Sequence, residues 1–349
     1  MPIRVDNGTE LGTLRAAVNC TDGGTVEVDL AGVVTLDVPI SIADGTFLSM
    51  TGEDDLAEVH GGDSQINGTR LFEVHPGGGL TLTQIKVSGG TAVEGGAIFS
   101  SSATLTLVNC TFDGNIATDG NGGAVSANGG NLTITGGEFL ANTSSHYGGA
   151  VHATDGRLEV RGGARFEQNV ALGGGALFCG STGIASAAAA VMCSLTEAEF
   201  TANRATSANP DDDEDAISSL DGGGAAAFHF ADPAVTDSVF NRNYARTSGG
   251  ALVGGSHTNI LVTGCTFGSN TAEEDGGAIS ASSMTLEGST QLADNSVSDS
   301  GGAVSSSLNH HRCFHSHPRP ANRTMTAPQV RQLMLGVLFI ATAWQIIGR

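Results

Sequence analysis

The sequence contains little lysine, proline or tryptophan. Among 349 residues there are 8 prolines, 1 tryptophan and a single lysine, Lys86, and aromatic residues make up 5% of the chain. Glycine is abundant, with 51 residues, but it follows no strict three-residue period, which excludes a collagen-like triple helix. This much glycine also argues against an ordinary helical domain, whereas 40% hydrophobic residues are enough to form a core.

Basic residues are scarce as well, and the charge is unevenly distributed. Residues 1–308 contain 10 basic and 36 acidic residues, a net charge of −26, whereas residues 309–349 contain five arginines and no acidic residue. The acidic body repels the phosphates of nucleic acids and anionic membranes, so we expect no nucleic-acid partner. Solubility is the simplest role for this charge.

Cysteine usage and glycosylation motifs fit a secreted chain. The six cysteines include no C-x-x-C pair, which argues against a zinc or thioredoxin-like site. Cys179 and Cys193 flank a short alanine-rich stretch and would be able to close a loop in an oxidising compartment. Seven N-x-S/T sequons are present, beginning at Asn7, Asn19, Asn67, Asn109, Asn131, Asn142 and Asn322. No signal peptide is visible after Met1, so the chain either is not secreted or begins after its true start.

Two repeated marks dominate the sequence. The tripeptide Gly-Gly-Ala begins at Gly95, Gly122, Gly148, Gly174, Gly223, Gly249, Gly276 and Gly301. Between these marks lies Phe-x-x-Asn or, in the last repeat, Leu-x-x-Asn, which places an asparagine at Asn115, Asn142, Asn169, Asn203, Asn243, Asn270 and Asn295. Successive glycine pairs are 25 to 27 residues apart, except for one interval of 49 that contains two insertions. We expect both insertions to leave the repeat as loops.

The spacing within each repeat is that of short strands. In the stretch 103–112, apolar residues alternate with polar ones, and Leu105, Leu107 and Phe112 are expected to point inward. A coil of about 26 residues has room for three short strands but cannot close a core alone, so it must stack on copies of itself. Stacking would place the phenylalanines in an internal column and the seven asparagines in a hydrogen-bonded ladder. Asn128, which belongs to neither mark, is expected to be exposed.

The sequence therefore predicts an all-β, parallel β-helix in one domain. Residues 1–24 are expected to form an N-terminal cap with a short amphipathic helix around Leu11–Val18, and residues 25–308 the β-helix. Residues 309–349 are predicted to be a basic linker and an apolar tail, with a short apolar helix at 333–348 that allows membrane contact or anchoring. An alternative is that 309–349 is unrelated to the repeat, for instance through a misread exon boundary.

The pairing of Gly-Gly-Ala-(Ile/Val/Leu) with Phe-x-x-Asn resembles the repeat of chlamydial polymorphic outer membrane proteins. It is also similar to the broader group of pectin-lyase-like, right-handed β-helix proteins. The resemblance covers residues 95–305 and, more loosely, 10–94. It implies a right-handed parallel β-helix and a surface role such as adhesion. The C-terminal β-barrel by which the bacterial autotransporter members reach the surface is not expected from the residues of this sequence.

Two functional hypotheses from different classes remain open. The first is a non-enzymatic, extracellular or cell-surface protein that binds glycans or other surface proteins. The second is a polysaccharide lyase or epimerase acting on an acidic polysaccharide, for which His146, Tyr147 and His152 are the candidate acid and base residues. No cofactor is expected apart from possible Ca²⁺ binding by the acidic run Asp211, Asp212, Asp213, Glu214 and Asp215, for which a solvated loop is the competing interpretation.

Overall fold

The fold was obtained as a computed structural model. It describes residues 3–6, 11–20, 23–53, 55–62, 68–181, 191–207, 221–298, 302–306 and 325–326. These residues form a parallel β-helix of about ten coils of roughly 27 residues each, as the repeat predicted. Three sheets run along its length, and we call them sheets 1, 2 and 3 in the order in which each coil visits them.

Sheet 1 is the widest of the three. Its 16 strands are Ile3–Asp6, Gly24–Ala31, Ile40–Ile42, Thr46–Gly52, Phe72–Val74, Gly79–Thr83, Ile98–Val108, Val125–Thr135, Val151–Arg161, Leu177–Gly180, Met192–Thr196, Ala226–His229, Ala234–Thr236, Leu252–Thr263, Ile279–Glu287 and Val304–Ser306. Strands from neighbouring coils pair in parallel and in register, so that Leu105 lies beside Leu132, and Leu132 beside Leu158. Identical positions of the repeat therefore form straight columns.

Sheets 2 and 3 complete each coil. The strands of sheet 2 are Val33–Leu36, Glu58–Gly61, Lys86–Ser88, Thr111–Asp113, Glu138–Leu140, Arg165–Glu167, Glu199–Thr201, Val239–Asn241, Thr266–Gly268, Gln291–Ala293 and Met325–Thr326. The strands of sheet 3 are Thr91–Ala92, Ile116–Ala117, Thr143–Ser144, Val170–Ala171, Arg204–Ala205, Tyr244–Ala245, Thr271–Ala272 and Ser296–Val297.

The core lies between the three sheets and is filled by repeated side chains. Leu105, Leu107 and Phe112 are fully buried, as predicted from the alternation. The phenylalanines of the repeat stack face to face, with ring centroids 4.7 to 5.0 Å apart along the column Phe112, Phe139, Phe166, Phe200, Phe240 and Phe267. The spacing is that of neighbouring strands, because one ring comes from each coil.

The glycine pair marks the turn from sheet 3 into sheet 1. Gly122 has φ = 66°, a left-handed conformation that favours glycine. At Gly123 a Cβ would collide with the carbonyl oxygen of Gly149 in the next coil. The first glycine is thus selected by backbone conformation and the second by close stacking.

Sheet 1 also accommodates the first insertion, which lies between the strands Leu177–Gly180 and Met192–Thr196. Val151–Arg161 is one continuous strand, but on the next coil its first half pairs with Leu177–Gly180 and its second half with Met192–Thr196. The insertion therefore interrupts the middle of a long strand, and a disulfide between Cys179 and Cys193 joins its two sides. The second insertion, with the acidic run 211–215, lies outside the described residues.

The N-terminal end is closed by a helix and a strand. The predicted helix spans Leu11–Cys20, and its side chains Leu14 and Val18 are buried in the core. Ile3–Asp6, in contrast, pairs in parallel with the strand Gly24–Ala31, so part of the expected cap already belongs to sheet 1.

At the C-terminal end, Met325–Thr326 pairs antiparallel with Gln291–Leu292. The proposed apolar helix at 333–348 lies outside the described residues. Within the described ranges, no helix has the length and hydrophobicity needed to cross a bilayer.

Candidate functional site

The candidate residues lie where the glycine turn enters sheet 1. Tyr147 precedes the glycine pair, and His152 follows it on the strand Val151–Arg161. His152 alternates with Val151 and Ala153 of the core, so its side chain leaves the coil on the outer face of sheet 1. On the next coil the same position is occupied by Phe178.

A small hydrophobic cluster covers this outer face. It consists of Phe178, Ala227 and Val253, with Tyr147 packed against them, and we call it the outer cluster. The imidazole of His152 stacks on Phe178 with ring centroids 5.1 Å apart and an interplanar angle of 19°. The ring of Tyr147 lies 5.3 Å from Phe178 and is tilted by 38°. Phe178 is therefore the contact shared by both candidates.

Burial keeps His152 uncharged. The side chain is 4% exposed, and burial lowers its pKa to about 3, although the negative charge of Asp155 acts in the opposite direction. Among the described residues, no hydrogen-bond partner faces its Nδ1 atom. A neutral, buried imidazole that stacks on a phenylalanine suits packing better than proton exchange with a substrate.

Tyr147 and His146 have different surroundings. Burial is the main cause that raises the pKa of Tyr147 to about 12, and the negative charge of Asp221 adds to it, so the phenol stays protonated. Burial also raises the pKa of Asp221. His146 is exposed, and its Nδ1 lies 3.1 Å from the hydroxyl of Ser145. The structure thus brings Tyr147 and His152 together around Phe178 and leaves His146 in the solvent.

A polar network beside the cluster was missed by sequence reasoning. Ser126 donates a 2.8 Å hydrogen bond to Glu94 Oε1, and the amide of Asn128 lies 3.4 Å from the same oxygen. Thr154 donates to Asn128 Oδ1 at 3.2 Å. The expectation that Asn128 is exposed was wrong, because these contacts leave it half-buried. The one sequence feature that pointed to this network was the position of Glu94, directly before a glycine pair.

The seven asparagines of the repeat form one continuous ladder. In each coil after that of Asn115, the side-chain Oδ1 accepts hydrogen bonds of 2.9 to 3.0 Å from both the backbone nitrogen and the side-chain nitrogen of the preceding asparagine. From Asn142 onward, the side-chain nitrogen also donates to the carbonyl of a repeat phenylalanine, as Asn142 does to Phe112 at 3.0 Å. The ladder therefore satisfies buried polar groups at the turn from sheet 2 to sheet 3.

No candidate metal site is found among the described residues. No group of three or more His, Cys, Asp or Glu side chains is placed there to hold a metal ion. The suggested Ca²⁺ ligands Asp211, Asp212, Asp213, Glu214 and Asp215 lie outside the described residues, so Ca²⁺ binding stays a prediction.

The few basic side chains on sheet 2 are paired with acids. Arg165 lies within 3.4 to 3.9 Å of carboxylates from its own and both adjacent coils, Glu138, Glu167 and Glu199. Lys86 likewise faces Glu58 at 3.6 Å and Asp113 at 3.5 Å. These exposed pairs reduce repulsion between stacked acidic side chains but contribute little stability individually.

Comparison with known proteins identifies the repeat. Residues 109–128 and 264–282 match the Chlamydia polymorphic membrane protein repeat. Each match runs from the turn before a repeat phenylalanine to the strand after the next glycine pair, so the chain is a parallel β-helix that carries repeats of this type.

Comparisons with curated proteins and with solved structures add little to the match of the repeat. No curated protein matches the chain. Among solved structures, the catalytic domain of a GH87 alpha-1,3-glucanase in complex with nigerose is similar at 11% identity and a TM-score of 0.28, over 82% of this chain and 56% of the other. The chain thus spans little more than half of that structure.

Proposed function

We propose that this protein works outside the cell or at its surface as a non-enzymatic β-helix that binds glycans or other surface proteins. The observation that carries the proposal is the match of two coils to the Chlamydia polymorphic membrane protein repeat, which points to surface proteins. The regular stacking of the coils supports it, because a solenoid presents long, fixed outer faces to a partner.

The disulfide supports the extracellular location independently. Cys179 and Cys193 are joined across the first insertion. Such bonds persist mainly in secreted or surface-exposed proteins, since cytosolic thiols are kept reduced. Anchoring through 333–348 is part of the proposal. We expect the full chain to remain with membranes after carbonate washing and to be released by detergent; release by carbonate alone would argue against an anchor.

The alternative, a lyase or epimerase, would need an accessible base that changes charge near neutral pH. His152 is buried with a pKa near 3 and Tyr147 has a pKa near 12, so both fit a packing role better. We therefore assign these two residues to the stability of sheet 1.

The test is a screen of the purified full chain against neutral glycans, acidic glycans and extracellular-matrix proteins, with binding and cleavage measured on the same samples. We expect saturable binding to at least one ligand and no new reducing ends or unsaturated products. Cleavage that disappears in His152→Phe would overturn the non-enzymatic assignment. Absence of binding to every ligand would count against the binding role.

A further inference from the structure

One outer face of the β-helix carries no charge, although the body of the protein is strongly acidic. It is formed by the strands Thr46–Gly52 and Gly79–Thr83 and by the second halves of Ile98–Val108 and Val125–Thr135, all in sheet 1. The outward positions of these strands form a grid of three columns and four coils. Its members are Phe47, Ser49, Thr51, Gly79, Thr81, Thr83, Thr104, Thr106, Val108, Asn131, Thr133 and Thr135. We call this grid the neutral face.

The neutral face has charged borders on both sides. On the coil before it, the paired positions are Glu27 and Asp29. On the coil after it, they are Arg157, Glu159 and Arg161, where Glu159 pairs with both arginines. The neutral face is thus four coils wide, about 14 Å from the first strand to the fourth at the usual strand spacing.

The side chains of the neutral face are fixed in position by the core on the inner side of sheet 1. They alternate along each strand with buried core residues such as Leu48, Leu82 and Leu105. Every strand pairs in register with the next one, so the hydroxyls of Thr81, Thr106 and Thr133 follow one another in a straight column. No side-chain hydrogen bond within the described residues engages these three hydroxyls, which leaves them available to a ligand.

Phe47 gives the neutral face an aromatic platform. It is 44% exposed, whereas the repeat phenylalanines are fully buried. Its ring lies across Gly79 of the next coil, where a Cβ would collide with it. An exposed ring lying on the sheet beside a row of free hydroxyls offers the two contacts that sugars use: a stacking surface for their C–H face and hydrogen-bond partners for their hydroxyls.

Charge decides between the ligand classes. A body with a net charge of −26 over residues 1–308 repels uronate-rich or sulfated glycans and nucleic acids, and a partner without charge avoids that cost. The column spacing, one hydroxyl per coil at about 4.8 Å, is close to the length of one sugar unit. An extended chain along the axis would therefore meet one equivalent position per sugar.

We propose that the neutral face binds a neutral, unbranched glycan that lies along the coil axis, with one sugar stacked on Phe47 and the following sugars hydrogen-bonded to Thr81, Thr106 and Thr133. This inference rests on the proposed surface-binding function and names its site and ligand class.

The test measures affinity for cellohexaose, a neutral and unbranched glucan, with polygalacturonate as the acidic comparison. The full chain is produced in an oxidising bacterial periplasm, so that Asn131, the first residue of a sequon, stays unmodified. We expect Phe47→Ala to weaken binding about tenfold, the value of one aromatic contact of roughly 1.4 kcal/mol. Phe47→Trp should keep the affinity. Replacing Thr81 and Thr106 together by valine removes two hydroxyls at constant shape and should weaken binding several-fold.

Two control variants leave the neutral face intact. Met192→Ala removes an exposed apolar side chain from sheet 1 beyond the charged border, and Thr266→Val removes an exposed hydroxyl from sheet 2. Both should bind as the parent does, and all variants should share its melting temperature. Binding that survives Phe47→Ala and the double valine variant, or that favours polygalacturonate, would overturn the inference but leave the surface-binding function standing. No binding to either glycan would also overturn it, while protein ligands in the wider screen would still test the general function.

Discussion

Two turns of the coil, the one at the ladder asparagines and the bend within the long strand of sheet 1, differ in how much their sequence varies between coils. At the turn from sheet 2 to sheet 3, the asparagine ladder keeps hydrogen bonds of 2.9 to 3.0 Å whether successive asparagines are 27, 34 or 40 residues apart. At the bend in the middle of the long strand of sheet 1, the equivalent residues are Ser102, Gly129 and Asp155 on three successive coils. On the following coil an insertion interrupts the strand there.

The difference follows from burial. An asparagine of the ladder is enclosed by protein, so a missing partner would leave several donors and acceptors without any replacement from water. Ser102, at the bend, is exposed, so water satisfies whatever the neighbouring coil does not. The repeat is therefore fixed where polar groups are buried and free to vary where they are solvated.

The largest effect that would test this comparison is expected at Asn142. Asn142→Leu removes the acceptor for two nitrogens of Asn115 and the donor to the Phe112 carbonyl, all buried. The side-chain nitrogen of Asn115 keeps its hydrogen bond to the Val87 carbonyl, so two groups are stranded. At about 1–3 kcal/mol for each of them, we expect a loss of about 4 kcal/mol in the free energy of unfolding, measured by urea denaturation. Asn295→Leu is the matched control, because Asn295 makes the same kinds of bond at the half-exposed end of the ladder. It should cost clearly less; equal costs would contradict the burial argument.

At the bend, stability is expected to come from the covalent link. The disulfide closes a loop with a sequence separation of 14, for which loop-closure entropy predicts about 3 kcal/mol. Replacing Cys179 and Cys193 together by serine should lower the unfolding free energy by about that amount. The control is a reducing agent, which should shift the melting temperature of the parent and not that of the double variant. An unchanged parent under reducing conditions would show that the repeat alone holds the bend.

These two turns also show how far the sequence could predict the structure. The ladder and the phenylalanine column were predictable because a buried position repeats its residue type in every coil. The surroundings of His152 were not, because its place on the outward side of a strand suggests exposure. Its ring stacks on Phe178 from the next coil, and Tyr147 from the preceding turn packs on the same phenylalanine. Alternation within a single strand does not reveal such contacts. Asn128 was misjudged for the same reason.

His152 provides a smaller effect, which depends on pH. Its folded pKa is about 3 and its ordinary value is 6.5, so below pH 6.5 the unfolded chain binds a proton that the folded chain does not. This contribution should therefore lower stability as pH falls from about 6.5 towards 3, with a limiting slope of about 1.4 kcal/mol per pH unit, and should be constant above that range. His152→Phe should remove this slope, whereas His146→Gln, at an exposed position, should retain it. The measurement is urea denaturation at pH 7.5, 6.0 and 5.0, and identical slopes in the parent and His152→Phe would contradict the burial of this imidazole.

The smallest effect tests the ladder turn itself. The residue before each ladder asparagine is left-handed; it is glycine at position 114, with φ = 61°, but alanine at position 141, with φ = 50°. A left-handed alanine costs about 1–2 kcal/mol, whereas glycine costs about 0.4–1 kcal/mol through the larger entropy of the unfolded chain. Ala141→Gly should therefore raise the unfolding free energy by about 0.5–1 kcal/mol. Ala124→Gly, at a buried alanine without a positive φ, should instead destabilise the fold, since it brings the entropic cost without relieving any strain. If both variants lost stability equally, backbone conformation would not explain the residue preference at this turn, and contacts of the alanine methyl group would have to account for it.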